Sequence, residues 1–146
     1  MLDRQKIVEM VRDVADKFGP SNPQEINRLI RLLQKASESH VFFALFSFFY
    51  DPSLQENKFH RQQVAGTLLF ELAPASPLEL EGSVYAAAKI WDYSIEELPW
   101  YWCKAFGTNV VVNFLNDLLP DIEDKETIKS IQTMLFWCRG FEQQCT

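Results

Sequence analysis

Residues 40–50 read HVFFALFSFFY. The run has no polar face at either the strand or the helix period, so periodicity alone allows a buried strand or a buried helix. The segments on both sides carry helical spacing, and a lone strand has no partner for its backbone groups. The run is therefore read as a helix. A helix that is apolar all round belongs at the centre of a fold. Asp51-Pro52-Ser53 ends it. The strongly apolar residues Val41 to Tyr50 are too few to span a bilayer.

Working outward toward the N-terminus, Ile7, Val11, Val14 and Phe18 share one face of a helix over residues 2–18, with Val8, Met10 and Ala15 beside them. Gly19-Pro20 stops it. Ser21-Asn22-Pro23 then supplies a cap and a first-turn proline, with Glu25 close behind. The second helix runs to about Ala36 and buries Ile26, Leu29, Ile30 and Leu33. Toward the C-terminus, a helix over about 55–72 buries Val64, Ala65, Leu68, Leu69 and Leu72. Ser76-Pro77-Leu78-Glu79 reads as a capping box with a first-turn proline, opening a helix that buries Leu80, Val84, Ala87, Ala88 and Trp91. Ser94-Ile95-Glu96-Glu97 is a second capping box, though Pro99 leaves room for a later start at that residue. Gly107 is a left-handed cap candidate. Thr108 caps the next helix, which buries Val111, Phe114, Leu115 and Leu118 and ends at Pro120. The last helix starts near Asp121–Asp124, buries Ile128, Ile131, Leu135 and Cys138, and stops at Gly140, with frayed residues after it.

The expected fold is all-α: about eight helices in one domain, residues 1–146. Hairpin starts near residues 3, 39, 77 and 108 give a period close to that of HEAT-like helix pairs. Stacked antiparallel hairpins are the expected architecture, with a compact helical bundle as the alternative. The composition agrees with a folded domain. Of 146 residues, 47% are hydrophobic and 23% charged, and five glycines are too few for a turn-rich β protein.

The net charge of −6 is uneven. Residues 1–61 hold nine basic and eight acidic groups, whereas residues 62–146 hold five and twelve. The second half is thus at −7, which repels phosphate and argues against nucleic-acid binding. It attracts a basic partner instead. Cys103, Cys138 and Cys145 are scattered and odd in number, the usage of a reduced compartment. The N-terminus lacks an apolar signal core. A soluble cytoplasmic protein with no membrane contact is expected.

The residues that carry chemistry are few. Neither HExxH nor CxxC occurs, and His40 and His60 form no Glu-x-x-His pair. Glu56 and His60 share a helix face but read as a surface contact, so no metal is expected. Cys103 lacks a facing base and reads as a buried structural cysteine. No glycine-rich phosphate loop or nucleophile elbow is present, so neither a cofactor nor an enzymatic activity is expected.

One segment stands apart. Residues 91–107 read WDYSIEELPWYWCKAFG and hold three of the four tryptophans. Trp91, Leu98, Trp102 and Phe106 can all face a core. Trp100, Tyr101 and Trp102 are consecutive, so a helix spreads them over a wide arc and exposes at least one. Aromatics beside acids have the composition of a binding hot spot with a charged rim. Core and interface both remain open here. The same segment, in a small acidic all-helical chain, resembles bacterial immunity proteins of contact-dependent growth inhibition and polymorphic toxin systems. The resemblance implies a protein that binds a cognate toxin domain, often a basic nuclease, and blocks it by occlusion without catalytic residues.

The expected interface comprises Glu79, Glu81, Asp92, Tyr93, Glu96, Glu97, Asp117 and Asp121, with Trp100 or Tyr101 as anchor. Residues 71–97 hold six acids against one lysine, and residues 117–126 hold five against one, more than helix-dipole complementation requires. A helical adaptor for an endogenous partner is the alternative function.

Overall fold

A computed structural model describes residues 2–144, and these described residues form eight α-helices. They are α1 (Arg4–Phe18), α2 (Pro23–Leu33), α3 (Glu38–Ser47), α4 (Lys58–Leu72), α5 (Leu80–Ala87), α6 (Glu97–Phe106), α7 (Thr108–Leu118) and α8 (Lys125–Gln144). Single 3-10 turns lie at Pro52–Leu54 and Leu119–Asp121. The described residues contain no strand, so the fold is all-α. None of their helices is long and apolar enough to cross a membrane.

The run at 40–50 is helical and central. Phe42, Ala44, Leu45, Phe46, Phe48 and Phe49 have no exposed surface, and Phe42 stacks on Phe46 at 5.3 Å between ring centroids. Ser47 is tolerated there because its hydroxyl donates to the Ala44 carbonyl at 2.6 Å. Phe43 is only half-buried, since it points to the rim, where the Arg4 guanidinium lies 5.7 Å from its ring. Phe18, expected on the buried face of α1, is exposed at the helix end.

Helix packing follows a chain of neighbours. α1 packs on α3 and α4, α2 on α1 and α4, and α3 on α4. α4 meets α6, and α6 meets both α7 and α8, which pack on each other. α5 forms no extensive pairing with another helix. A regular stack of hairpins requires a full partner for every helix, so α5 leaves the HEAT-like arrangement unestablished within the all-α fold.

Two polar clasps hold the layers in register. Arg61 on α4, only 6% exposed, donates to both carboxylate oxygens of Asp16 on α1, at 3.0 and 2.7 Å. That charge-assisted fork holds the Asp16 carboxyl below the ordinary range. Gln62, also buried, donates to the carbonyls of Phe48 and Ile90 at 3.2 Å and accepts from the Asp92 amide at 2.8 Å. It ties the end of the α3 region to the loop that follows α5.

Some helix starts match the sequence reading and others do not. Asn22 caps α2 as expected, accepting from the Glu25 amide at 3.0 Å, and Asp3, not read as a cap from the sequence, caps α1 by accepting from the Lys6 amide at 2.9 Å. Asp124 accepts from the Thr127 amide and hydroxyl at the start of α8, at 3.0 and 2.6 Å. Neither expected capping box forms. The Ser76 hydroxyl turns back to the Leu78 carbonyl at 2.6 Å, and α5 starts only at Leu80. Ser94 donates through its amide and hydroxyl to Asp92, at 2.9 and 2.6 Å, and α6 starts at Glu97 with Pro99 in its first turn. There a missing N–H is harmless. Trp91 lies beyond the end of α5 yet stays buried, its indole donating to the Ile95 carbonyl at 2.9 Å. Gly107 has a positive φ of 95°, as its capping role requires, and serves as N-cap of α7, a place expected of Thr108. α8 does not stop at Gly140 but continues to Gln144. Phe114 and Ile128, expected in the core, are half-buried. Cys145 lies outside the described residues.

Candidate protein-binding surface

The segment at 91–107 divides between core and surface. Tyr101 is 1% exposed, and its hydroxyl donates to the Pro74 carbonyl at 2.5 Å. Burial pushes that phenol well above its ordinary pKa. An anchor must be accessible, so Tyr101 is removed from the expected interface. Trp100 is half-buried against Phe70 and Phe141, and its indole donates to the Trp137 carbonyl at 2.8 Å. Its polar edge is committed inside the protein, and only part of the ring stays accessible.

Glu97 is also drawn inward. It sits in the first turn of α6 against α4, where the helices approach closely at Gly66. One carboxylate oxygen is buried without a hydrogen-bond partner. Burial raises its pKa, opposed by hydrogen bonds from its own amide and Gln63. Glu96 beside it is half-buried.

Asp92 and Tyr93 lie in the loop between α5 and α6, docked on α8. The Tyr93 hydroxyl donates to the Glu126 carbonyl at 3.4 Å, and the Trp137 indole donates to the Tyr93 carbonyl at 2.7 Å. The Lys129 ammonium stands 5.5 Å from the Tyr93 ring. A surface depression of about 370 Å³ opens here between Lys58, Lys89, Trp91, Asp92, Tyr93 and Glu126. Two lysines face two carboxylates, so this corner is balanced rather than acidic. The sequence reading missed this because Lys58 comes from a distant helix.

The remaining acids are accessible. Glu79 and Glu81 are exposed at the start of α5, and Asp117 and Asp121 are exposed around the end of α7. The structure does not draw the expected residues into one patch; it separates the buried Tyr101 and the half-buried Glu97 and Trp100 from the outer acids.

The accessible aromatic beside the outer acids of α5 is one the sequence reading passed over. Tyr85 on α5 is 49% exposed, one turn after Glu81 and one turn before Lys89. The inner face of α5 buries Leu80, Ser83, Val84 and Ala87. Tyr85 was legible as the residue opposite that stripe. Beside it, Gly82 has open space where a side chain would stand.

Cys103 and Cys138 are both buried. A hydrogen bond with Cys103 and burial together push the Cys138 thiol up, the opposite of nucleophile activation. Among the described residues, no three His, Cys, Asp or Glu side chains are grouped to hold a metal ion. Comparison of the chain with protein families, with curated proteins and with solved structures finds no match.

Proposed function

We propose that this protein works by binding a basic protein partner and covering it, as an immunity protein covers its cognate toxin domain in the cytoplasm. The observation that carries the reading is the outer face of α5. An exposed tyrosine sits behind Glu79 and Glu81 on a helix with no extensive helix partner. Tyrosine supplies a large amphipathic contact at low conformational cost, and surrounding acids supply the rim. The net charge of −7 over residues 62–146 steers a cation-rich surface toward that face. Asp117 and Asp121 add to the steering field, while Asp92 is spent on Ser94.

The test is whether a gene beside this one encodes a toxin domain, followed by a growth competition against a strain delivering that domain and association rates measured on the purified pair. Tyr85→Ala should speed dissociation about tenfold or more. Glu81→Lys should slow association and flatten its salt dependence. Full protection and unchanged rates in both folded variants would place the partner elsewhere.

A further inference from the structure

The outer side of α8 carries a second, differently built face. Glu126, Lys129, Gln132, Phe136 and Arg139 are all exposed and recur at steps of three and four residues, which makes one stripe along the helix. Phe136 at its middle is 65% exposed, more than any other large hydrophobic residue described. Three of the five basic residues of the acidic half, Lys125, Lys129 and Arg139, lie on this helix. An exposed phenylalanine between cations does not suit the basic partner proposed for α5.

We propose that the face is covered by a second copy of this chain, with the two α8 helices antiparallel about a two-fold axis between Gln132 and Thr133. The pattern is self-complementary in that arrangement. Glu126 meets Arg139 of the second copy, and Lys129 meets the Phe136 ring of the second copy. Gln132 meets Thr133, and Lys125 lies opposite Gly140. Two-fold symmetry makes each unlike pair occur twice. Lys129 already stands near one aromatic ring, that of Tyr93, and gains a second cation–π contact. Open space at Gly140 lets the helix ends come close. The register is selected by charge. Moving the axis to Gln132 sets Lys125 against Arg139, and moving it to Met134 sets Lys129 against Arg139.

A contact made by one helix from each copy falls at the small end of specific interfaces, below about 1,200 Å². The net charge of −6 on each chain also opposes it. The dimer is therefore weak and concentration-dependent. Sedimentation of the whole chain should be followed from about 10 µM to about 1 mM, at about 0.15 M salt to screen the net repulsion. A monomer–dimer equilibrium is expected within that range. Glu126→Arg and Arg139→Glu should each weaken it about tenfold, since each places like charges together twice. The double variant Glu126→Arg/Arg139→Glu should restore it to within about threefold. Circular dichroism checks that the variants stay folded, which exposed positions favour. A monomer throughout, single reversals without effect, or a double variant as weak as the singles would overturn the proposal. The partner proposed for α5 plays no part in this test, so either reading can fail alone.

Discussion

Glu97 and Asp16 are carboxylates that the fold treats in opposite ways. Burial raises the Glu97 pKa in the folded protein. Its favourable contribution is therefore present at low pH and is lost as pH rises through the folded pKa. Glu97→Gln removes that loss while keeping an oxygen for Gln63. The variant should match the parent in acid and exceed it at neutral pH, in urea melts at the two pH values. A variant less stable than the parent at neutral pH would refute this. Asp16 is depressed, first by its hydrogen bond from Arg61. Its contribution is present above the unfolded pKa and fades as pH falls through the folded one. Asp16→Asn should cost about 1–2 kcal/mol at neutral pH, discounted because Asp16 is partly exposed, and little at acid pH. These roles were not legible in the sequence. Glu97 reads there as a helix-start acid and Asp16 as one of many surface charges. Burial depends on what another helix brings, and Gly66 and Arg61 lie on α4.

At the scale of elements, α4 is the axle, meeting α1, α2, α3 and α6. Its contact with α6 depends on Gly66. A methyl group there would lie 2.9 Å from Ile95 Cγ2 and 3.3 Å from Glu97 Cβ. Ile95 is fully buried and has little room to withdraw. Alanine favours an isolated helix over glycine by about 1 kcal/mol. The overpacking penalty of about 1–3 kcal/mol should still prevail in Gly66→Ala. A lowered urea midpoint with unchanged slope is the expected result, and a raised midpoint would mean that α6 shifts freely. Helix existence was legible wherever an apolar stripe recurs at helical spacing, and in α3, which has no polar face, only through its helical neighbours. A start was legible where the cap acts locally, as at Asn22. Starts were illegible at Ser76 and Ser94, whose hydroxyls found closer acceptors at Leu78 and Asp92. An S-x-x-E pattern says which bonds a helix start can make, not which competing turn is better.

For the molecule as a whole, stability rests on the α3 core. Phe46 has no exposed surface and lies near Phe42, Phe49 and Tyr50. Phe46→Ala should cost about 3–5 kcal/mol, a large part of the about 5–15 kcal/mol typical of a domain. Chemical denaturation monitored by circular dichroism measures it, and a loss below about 1 kcal/mol would contradict the central placement. The sequence by itself determined the all-α class, the buried place of Phe46 and Phe49 though not the half-buried one of Phe43, and the acidic second half. These follow from composition and local periodicity, which are properties of consecutive residues. The tertiary structure alone decided which aromatics are reachable. Tyr101 is buried with its hydroxyl on the Pro74 carbonyl and Trp100 is half-buried with its indole on the Trp137 carbonyl, whereas Tyr85 and Phe136 remain outside. It also decided that Lys58 and Lys89 stand beside Asp92 and Glu126, balancing a corner that reads as acidic along the chain. The physical reason is common to both. Accessibility and local charge are sums over neighbours in space, and helix packing brings those neighbours from distant parts of the chain.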